Sequence, residues 1–520
     1  MNHIEEFIFY GDDIRIERFH PDTKLIYANP PVTPVADYKE AIDAALDNPI
    51  DAPPLEKQLN SKSRVVIAFD DPCIPIPLMR HDVRGIIIEE LLRRLFKIGI
   101  GKDQIKLICA NGLHRKWTLK ELSTIIGNTV IREMGPERIT CHDATKEKEL
   151  VFLGSTESGI EIELNRAIDE SDITIYVNVN FTSMNGGWKS IMVGLGSWRS
   201  IRHHHSPVQW NGVHSVLDTK KHAMHGMLNE MGALVKSKIN VFQIETVLNN
   251  RIWPSPVDRI ISPMNNGTRE TPPGSLTRAV LSLAPIVPNG VKKSVRKALR
   301  SDYRLCAVSA GDVDGVHRRT LDILHEQQNV KGSEQVDILI LGVPNLSPYG
   351  VFSEFNPILL RSLVLGYLVG MFSNRPLVKE GGIVVAYNPG RNEFHHGHHP
   401  SYIDFWENDL DRYYDPEECW NELSQKYAEN SEYIRKYQED YAYHGTHSLI
   451  LWMWSGMVLR HLKAVILAGA KNAETAKKIG FIPAKDFGSA INSAREMAGN
   501  SATMAYQFIP PVFCVDMPDA

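Results

Sequence analysis

Short apolar runs alternate along the chain with longer stretches in which apolar residues recur at helical spacing. The amphipathic stretches GIIIEELLRRLFKIGI (85–100) and TLKELSTIIG (118–127) predict helices, the second with Thr118 as its N-cap. The apolar runs predict buried strands, which are RVVIAFDD (64–71), the start of IKLICANGLH (105–114), DITIYVNVN (172–180) and KINVFQIETVL (238–248). This alternation indicates an α/β fold in which mainly parallel sheets are flanked by helices on both faces.

The composition of the sequence changes between Ile260 and Gly290, where proline and glycine residues accumulate. Such a stretch is typical of a domain boundary or a connector. A second alternation follows it in VDILILGVPN (336–345), NPILLRSLVLGYLVGMF (356–372) and GGIVVAYNP (381–389). We therefore predict an N-terminal α/β domain over residues 1–285, a C-terminal α/β domain over residues 286–520, and an active site in the cleft between them. The last ~25 residues are candidates for packing back on the first domain.

Length, charge and cysteine content narrow the function. A chain of 520 residues exceeds what one hydrophobic core supports, and its net charge of −5 disfavours nucleic acid or an anionic membrane as a partner. The amino terminus lacks the apolar segment of a signal peptide, and no apolar run approaches the ~20 residues of a membrane span. Six scattered cysteines without a CxxC pair indicate a reduced, cytoplasmic compartment. We expect a monomer or a small homo-oligomer that acts on a small molecule.

Charged and imidazole side chains follow several of the predicted strands. The first strand ends in Asp70 and Asp71, the second leads to His114, and the third is followed by NGGWKSIMVGLGSWRSIRHHH (185–205). In open α/β sheets, ligands bind beyond the carboxyl ends of the strands. Taken singly, each feature is also explained by a turn, a tight glycine bend or a solvated surface. Together they predict a ligand site at this edge of the sheet.

The order of these segments is itself informative. AFDDPCIPIP, ANGLHRKWT, HDATKEKELVFLG and GGWKSIMVGLG follow one another, with a histidine sixteen residues after the lysine of the last segment. This series resembles the lactate racemase family, whose patterns are DDxTRP, GLHRxxT, a histidine before SGGxK and a metal-binding histidine downstream. The resemblance covers most of residues 60–250 and is weaker in DILILGVPN, VKEGGIVVAYNP and INSAREMAGNSATMAYQFIPP.

The resemblance implies that the chain uses the cofactor of that family, a nickel-pincer nucleotide, with nickel as the metal. Lys189 matches the lysine that is joined covalently to the cofactor through a thioamide. His205 matches the metal-binding histidine, although three consecutive histidines leave this register open by one residue. His114 matches a general acid/base that takes the proton of a substrate hydroxyl while a hydride moves to the cofactor. Further predicted cofactor contacts are Asp70, Asp71, Gly186, Gly187 and Ser190.

Three features depart from the patterns of the family. The arginine and threonine of DDxTRP correspond to Ile74 and Cys73, so the guanidinium that would clamp a substrate carboxylate is absent. The second acid/base histidine of the family corresponds to Val179, which lies between Asn178 and Asn180. A YPKD-like substrate pattern is not seen in GVPNLSPYGVFSEFNP. These departures predict a substrate other than lactate.

We expect the substrate to be a larger 2-hydroxy acid, or a hydroxyl compound without a neighbouring carboxylate. Ile74 and Trp188 would make the pocket more apolar, and Asn180 lies next to the position of the missing histidine. His395 and His399 belong to the loop RNEFHHGHHPSY, which follows a predicted strand of the second domain. They are candidates for a second base, with a solvated loop as the alternative.

The leading interpretation is thus a nickel-pincer nucleotide-dependent racemase or epimerase of a 2-hydroxy acid. One alternative keeps the cofactor but has a single acid/base histidine, and performs a one-faced hydride transfer, an elimination or an isomerisation. Another is a cofactor-binding protein that has lost catalysis along with the residues that Ile74 and Val179 replace. A zinc hydrolase is disfavoured, because the histidine clusters lack the helical spacing of HExxH.

Overall fold

The computed structural model describes residues 3–210, 215–255, 257–261 and 274–518. In these residues the chain forms eighteen strands. They are β1 Ile4–Gly11, β2 Asp13–Phe19, β3 Lys24–Ile26, β4 Val65–Asp70, β5 Ile105–Ala110, β6 Ile139–Cys141, β7 Leu150–Ser155, β8 Glu161–Asn165, β9 Ile173–Asn180, β10 Val241–Leu248, β11 Leu305–Gly311, β12 Asn329–Lys331, β13 Val336–Pro344, β14 Val378–Tyr387, β15 Ala464–Ala468, β16 Ile482–Ala484, β17 Met504–Gln507 and β18 Cys514–Asp516.

The same residues form nineteen α-helices and two π-helices. The α-helices are α1 Tyr38–Asp47, α2 Leu55–Gln58, α3 Val83–Ile98, α4 Leu119–Met134, α5 Arg166–Asp169, α6 Gly187–Gly194, α7 Trp198–His204, α8 Ala223–Lys236, α9 Val257–Ile261, α10 Ser275–Ser282, α11 Asn289–Ala298, α12 Val313–Gln328, α13 Pro357–Arg361, α14 Pro400–Asp404, α15 Pro416–Ala428, α16 Ser431–Glu439, α17 His447–Leu459, α18 Ala473–Lys478 and α19 Phe487–Ala498. The π-helices are Ser362–Val369 and Phe405–Asp409.

The first sheet contains six strands in the order β11-β10-β9-β4-β5-β6, and only β11 runs antiparallel to its neighbour. Side chains alternate between the two faces of a strand. In β4, Val65 and Ile67 pack with α3 and α4, whereas Val66 and Ala68 pack with α6 and α8. Because helices cover both faces, β4 and β9 are buried along their whole length.

The second sheet contains eight strands. Six follow the order β16-β15-β14-β13-β1-β2, while β17 pairs with β13 and β3. Its pairs are parallel except for the hairpin of β1 and β2. In β14, Ile383 and Val385 pack with α19, whereas Val384 and Ala386 pack with α17 and the π-helix at 362–369. The predicted α/β class, with mainly parallel sheets flanked by helices, is therefore confirmed.

Sheet membership does not follow the predicted boundary at residue 285. The amino-terminal strands β1, β2 and β3 belong to the second sheet, whereas β11, which lies beyond residue 285, belongs to the first. Residues 262–273 of the predicted connector lie outside the described residues, and α10 and α11 follow them. The division at residue 285 therefore stays a prediction. A local change of composition does not indicate which distant strands pair with one another.

The end of the chain is shared between the two sheets. Strand β17 joins the second sheet through β13. Strand β18 pairs with β12, which directly follows α12, a helix packed on β10 and β11 of the first sheet. Cys514 of β18 also belongs to the core cluster that contains α6 and α8. The last residues are thus connected to the second sheet through β17 and to elements packed on the first sheet through β18.

The structure provides observations on membrane spans and on cysteines, two features that the sequence analysis considered. The described helices include none that combines the length and the apolar character needed to cross a membrane. The six cysteines are all free thiols, and four of them are buried.

Candidate active site

A cavity of about 180 Å³ lies at the carboxyl ends of β4, β5 and β9. Helices that pack on the second sheet close its other side. Carboxyl ends of parallel strands meet at one sheet edge, so residues that are distant in sequence converge there. The predicted site residues that line this cavity are Asp70, Asp71, Ile74, His114, Gly186, Lys189, Ser190 and His205.

Asp70 is the last residue of strand β4, and both oxygens of its carboxylate accept hydrogen bonds. It accepts hydrogen bonds from the Tyr176 hydroxyl (3.0 Å), the Asn178 side-chain amide (2.7 Å) and the backbone N–H of Val179 (2.7 Å). Burial raises the pKa of Asp70 to about 6, although these hydrogen bonds and the nearby charge of Arg84 oppose that shift. Asp70 is therefore a rigid anionic group on the floor of the cavity near neutral pH.

The next carboxylate, Asp71, is paired with His114. Nδ1 of His114 lies 2.9 Å from Oδ2 of Asp71, and the indole N–H of Trp117 donates to the same oxygen at 3.2 Å. Although burial by itself would raise the pKa of Asp71, the charge of His114 and the hydrogen bonds from His114 and Cys73 lower it below its usual value. An ionised Asp71 orients the imidazole of His114.

Local backbone geometry holds this pair in place. The guanidinium of Arg84, which is fully buried, donates to the carbonyls of Asp70 (2.9 Å) and Asp71 (2.8 Å) and forms an ion pair with Asp82 (2.7 Å). After the neighbouring strand β5, the turn that carries His114 passes through Gly112, whose φ is 51°. A Cβ at Gly112 would lie 2.3 Å from the carbonyl oxygen of Val193, so only glycine fits this turn.

Lys189 lies in the first turn of the short helix α6, which begins at Gly187. The backbone before it is held by Glu245, a fully buried carboxylate that accepts the N–H of Gly187 at 2.7 Å. A Cβ at Gly186 would lie 2.7 Å from Oε1 of Glu245, and one at Gly187 would lie 2.8 Å from the ring of His317. The two glycines therefore allow a close approach to the Glu245–His317 pair.

The amine of Lys189 has no hydrogen-bond or ion-pair partner among the described residues, although it lines the cavity together with Asp70. Withdrawal from solvent lowers the pKa of Lys189 to about 8, and the charge of Asp70 only partly offsets this effect. A substantial fraction of the amine is consequently neutral and nucleophilic near pH 8.

This lowered pKa predicts an unusual pH profile for chemical labelling. In the protein without cofactor, the rate at which Lys189 reacts with an amine-specific electrophile should rise with pH and reach half of its maximum near pH 8, because only the neutral amine attacks. A lysine-containing peptide, whose amine has a pKa of about 10.4, is the matched control. Peptide mass spectrometry after brief labelling at each pH measures both rates. Coincident profiles would show that the cavity does not perturb this amine.

The three consecutive histidines point in different directions. His205 lines the cavity, and its pKa is lowered to about 3 by burial and by the charges of Lys189 and His114. The buried His204 contacts it through their Nδ1 atoms at 2.7 Å. His203 turns away, with its Nε2 3.5 Å from Glu161. The residue of the cluster that reaches the cavity is thus His205, in the register that the sequence predicted.

Four predicted site residues lie away from the cavity. The side-chain amide of Asn180 donates to Glu245 at 2.7 Å, and Trp188 packs against Gly232 of α8 while its indole N–H donates to Asp314 at 2.8 Å. His395 stacks on His398, with 3.7 Å between ring centroids. His399 is fully buried between the carbonyl of Tyr349 and the ring of Tyr443. None of the four lines the cavity, so their contact with the substrate stays a prediction without support from their positions. Trp188 and Lys189 are consecutive helical residues that face different sides, and His399 is a packing residue.

Gly187 likewise does not line the cavity, and its N–H donates a hydrogen bond to Glu245. Val179, at the position of the missing histidine, points into the hydrophobic core with Met79 and Val83. Strand alternation explains the difference between Val179 and the residue before it: Asn178 faces the cavity and bonds to Ser190 at 2.8 Å, whereas Val179 faces the opposite side.

The structure also adds residues that the sequence did not single out. Tyr349, Leu363, Tyr367, Met371, Ile450 and Trp454 line the cavity from the second sheet's helices and loops. Behind them, the ring of His447 lies 5.3 Å from that of His114 and 4.5 Å from that of Tyr349. The apolar spacing within 356–372 identifies a buried helix but does not indicate that one of its faces borders a site.

Asp71, Cys73 and His114 form a compact set of donor atoms. One ligand atom from each lies within 4.8 Å of the others. Burial and the charge of Asp71 raise the pKa of the Cys73 thiol well above its usual value, so this sulfur is protonated in the absence of a metal. The hydrogen bond between Asp71 and His114 is the interaction that the structure shows here.

Comparison with known proteins links this site to one family. Residues 10–214 match the family described as "Lactate racemase N-terminal domain". Lactate racemase of Lactiplantibacillus plantarum is 30% identical to this chain over 172 residues, which make up 32% of this chain and 38% of that protein. Lactate racemase of Thermoanaerobacterium thermosaccharolyticum is 25% identical over 171 residues, with the same two shares. The matched part therefore spans well under half of the length of these relatives.

Two solved structures share the fold over almost the whole chain. The lactate racemase apoprotein from Thermoanaerobacterium thermosaccharolyticum superimposes with a TM-score of 0.63 at 18% identity and covers 100% of both chains. A protein from Thermotoga maritima superimposes with a TM-score of 0.52 at 13% identity, covering 95% of this chain and 100% of the other. At these identities the likeness concerns the fold and not the chemistry.

Proposed function

Because this chain belongs to the lactate racemase family as a divergent member, we propose that it is a racemase or epimerase of a 2-hydroxy acid other than lactate, with a nickel-pincer nucleotide as its cofactor. The observation that carries the proposal is the convergence of Lys189, His114 and His205 on one cavity. These residues come from separate segments of the chain, and they match the family's residues for tethering, proton transfer and metal binding.

The residues of the cavity fit the proposed cofactor. Lys189 presents an unpaired amine that is partly neutral near pH 8, which is the form that can be acylated. Because the pKa of His205 is lowered to about 3, its imidazole is neutral and able to bind a metal at physiological pH. Ser190 and Asn178 supply further polar atoms beside Lys189, and Oδ1 of Asn178 has no partner in the described part of the chain. When bound, the cofactor supplies a carbon centre that exchanges a hydride with the substrate.

His114 is the proposed acid/base. With its Nδ1–H donating to Asp71, Nε2 is left to accept the proton of the substrate hydroxyl and to return it at the end of the reaction. Asp71 is a positioning residue in this proposal, because it orients the ring and stabilises the imidazolium. Trp117 and Cys73 donate to the same carboxylate and restrict its rotation.

The cavity does not suit lactate well. Ile74 lines it at the position where the family has a carboxylate-binding arginine. Among the described lining residues, Lys189 is the only lysine or arginine, and it is assigned to the cofactor. A small acid would lack both a bidentate carboxylate partner and contacts that fill the space. This supports a 2-hydroxy acid that the protein binds mainly through groups other than the carboxylate.

A second candidate function has its own observation in support. The described residues that line the cavity include only two imidazoles, His114 and His205, and the latter is assigned to the metal. With one acid/base, the same cofactor could serve a one-faced hydride transfer or an isomerisation. A cofactor-binding role without catalysis is the remaining alternative, and it predicts cofactor retention without turnover.

Chiral analysis of isotopically labelled substrate tests the proposal. Cofactor-loaded protein is incubated with single enantiomers of 2-hydroxy acids that carry deuterium on the second carbon. Racemisation by hydride transfer is expected to give both enantiomers with the deuterium retained, because the C–H bond does not exchange with water. Loss of deuterium to solvent would argue for proton abstraction at carbon, and a single product of changed connectivity or oxidation state would favour the second candidate. Cofactor-loaded protein that turns over none of the acids would leave only the cofactor-binding role.

A further inference from the structure

We propose that the side of the cavity formed by the second sheet's helices is a subsite for a large, uncharged, apolar substituent of the substrate, preferably an aromatic ring. This inference rests on the proposed function and extends it by naming the class of 2-hydroxy acid. We call this side the apolar wall, and we define it by Tyr349, Leu363, Tyr367, Met371, Ile450 and Trp454.

The apolar wall is built from the faces of two packed helices. Leu363, Tyr367 and Met371 recur at every fourth residue along and just beyond the π-helix at 362–369, so they lie along one side of it. Ile450 and Trp454 are also four residues apart and lie on one face of α17, which packs against that π-helix. Two such faces form a continuous surface rather than a few isolated contacts.

Contacts within the apolar wall leave little polar surface on it. The hydroxyls of Tyr349 and Tyr367 bond to each other at 2.6 Å, so each already has a partner. The rings of Tyr367 and Trp454 lie 4.9 Å apart and are tilted by 54°, an arrangement that adds to their packing. In the described part of the chain the indole N–H of Trp454 has no acceptor, so it and the O–H of the tyrosine that accepts in this pair are the donors left for a substrate oxygen.

Charge is confined to the opposite side of the cavity. Asp70, Asp71 and Lys189 line it from the first sheet, and no described lining residue beyond residue 348 is charged. A carboxylate or a polyhydroxylated chain on the apolar wall would lose water without gaining hydrogen bonds, which is unfavourable. An aromatic ring would instead lose only apolar hydration and stack against Tyr367 and Trp454. The reacting hydroxyl would then lie toward His114 and Lys189.

A substrate panel with cofactor-loaded protein tests this inference. The panel contains lactate, 2-hydroxy-4-methylpentanoate, 3-phenyl-2-hydroxypropanoate and malate, and chiral chromatography measures kcat/KM for each. We expect the phenyl compound to exceed lactate by about 100-fold and malate to be the poorest, since even one methylene in a matching apolar pocket changes kcat/KM by about 10–200-fold. A preference for malate would overturn the inference while leaving the proposed function intact, whereas a preference for lactate would overturn both.

A binding measurement separates the two failures. If the loaded protein turns over no member of the panel, the proposed function fails. Saturation-transfer NMR with 3-phenylpropanoate, which has no hydroxyl to react, then decides on the subsite alone. Transfer to the ring protons that is lost on competition with the phenyl hydroxy acid supports the apolar wall. Absence of transfer overturns it.

Variants of the apolar wall provide the sharpest readout. Ile450→Arg places a cation on the wall and is expected to lower kcat/KM for the phenyl compound while raising it for malate, a reversal that general destabilisation would not produce. Should this variant fail to fold, Leu363→Ala removes volume from the same wall. It is expected to raise the ratio of kcat/KM for 3-(2-naphthyl)-2-hydroxypropanoate to that for the phenyl compound. Unchanged substrate ratios in the folded variants would contradict the inference.

Discussion

Replacing Lys189 by arginine is expected to yield protein that carries no covalently attached cofactor and that has lost at least about 10³-fold of its activity. The amine of Lys189 is partly neutral because its pKa is lowered to about 8, whereas a guanidinium stays protonated and cannot be acylated. Intact-mass analysis of protein purified from cells that make the cofactor measures attachment directly. Chiral turnover assays on the same samples measure activity.

The control for this substitution is Lys236→Arg. Lys236 ends α8 and pairs with Asp314 at 2.9 Å, so the conservative change keeps its charge and its ion pair. It should leave both the mass shift and turnover as in the unmodified chain. A Lys189→Arg protein that keeps the extra mass would show that another residue holds the cofactor, and the proposed role of Lys189 would have to be abandoned.

Replacing His114 by glutamine is expected to lower kcat by about 10²–10⁴-fold, the usual contribution of a positioned general acid/base. Glutamine can still donate to Asp71, so the local packing is kept, but it cannot take up a proton near neutral pH. The cofactor mass should be retained because His114 is not the tether. Asp71→Asn should have a smaller effect, since it removes the orienting charge but leaves the imidazole.

The matched control is His81→Gln. His81 is exposed at the start of the segment before α3, away from the cavity, and its replacement should leave kcat within a factor of about two. A His114→Gln enzyme with unchanged kcat would exclude His114 as the acid/base. Loss of the cofactor mass in the same variant would instead point to a structural role for the Asp71–His114 pair.

The strand ends explain why part of the site could be predicted. Asp70, Asp71, His114 and Lys189 each follow a run of apolar residues that forms a buried parallel strand. Parallel strands bring their carboxyl ends to one edge, so these residues were expected together before the fold was known. The same rule does not predict which residues of the second sheet lie opposite them.

Proximity in the sequence did not indicate which side chains line the cavity. Trp188 is adjacent to Lys189, yet it packs on Gly232 because consecutive residues of a helix point in different directions. Asn180 lies next to Val179, but it bonds to Glu245 and not to a group of the cavity. His399 follows a strand end and looked available, whereas it is fully buried behind Tyr349.

By itself, the sequence determined the alternation of strands and helices, the resemblance to the lactate racemase family, and the residues that converge at the carboxyl end of the first sheet. Each of these depends on local periodicity or on short ordered motifs, which are written along the chain. Tertiary structure alone decided that β1–β3 join the second sheet, that β11 joins the first, and that Tyr367 and Trp454 meet across the cavity from Lys189. Pairing between distant segments depends on how whole surfaces fit together, and no local pattern records that fit.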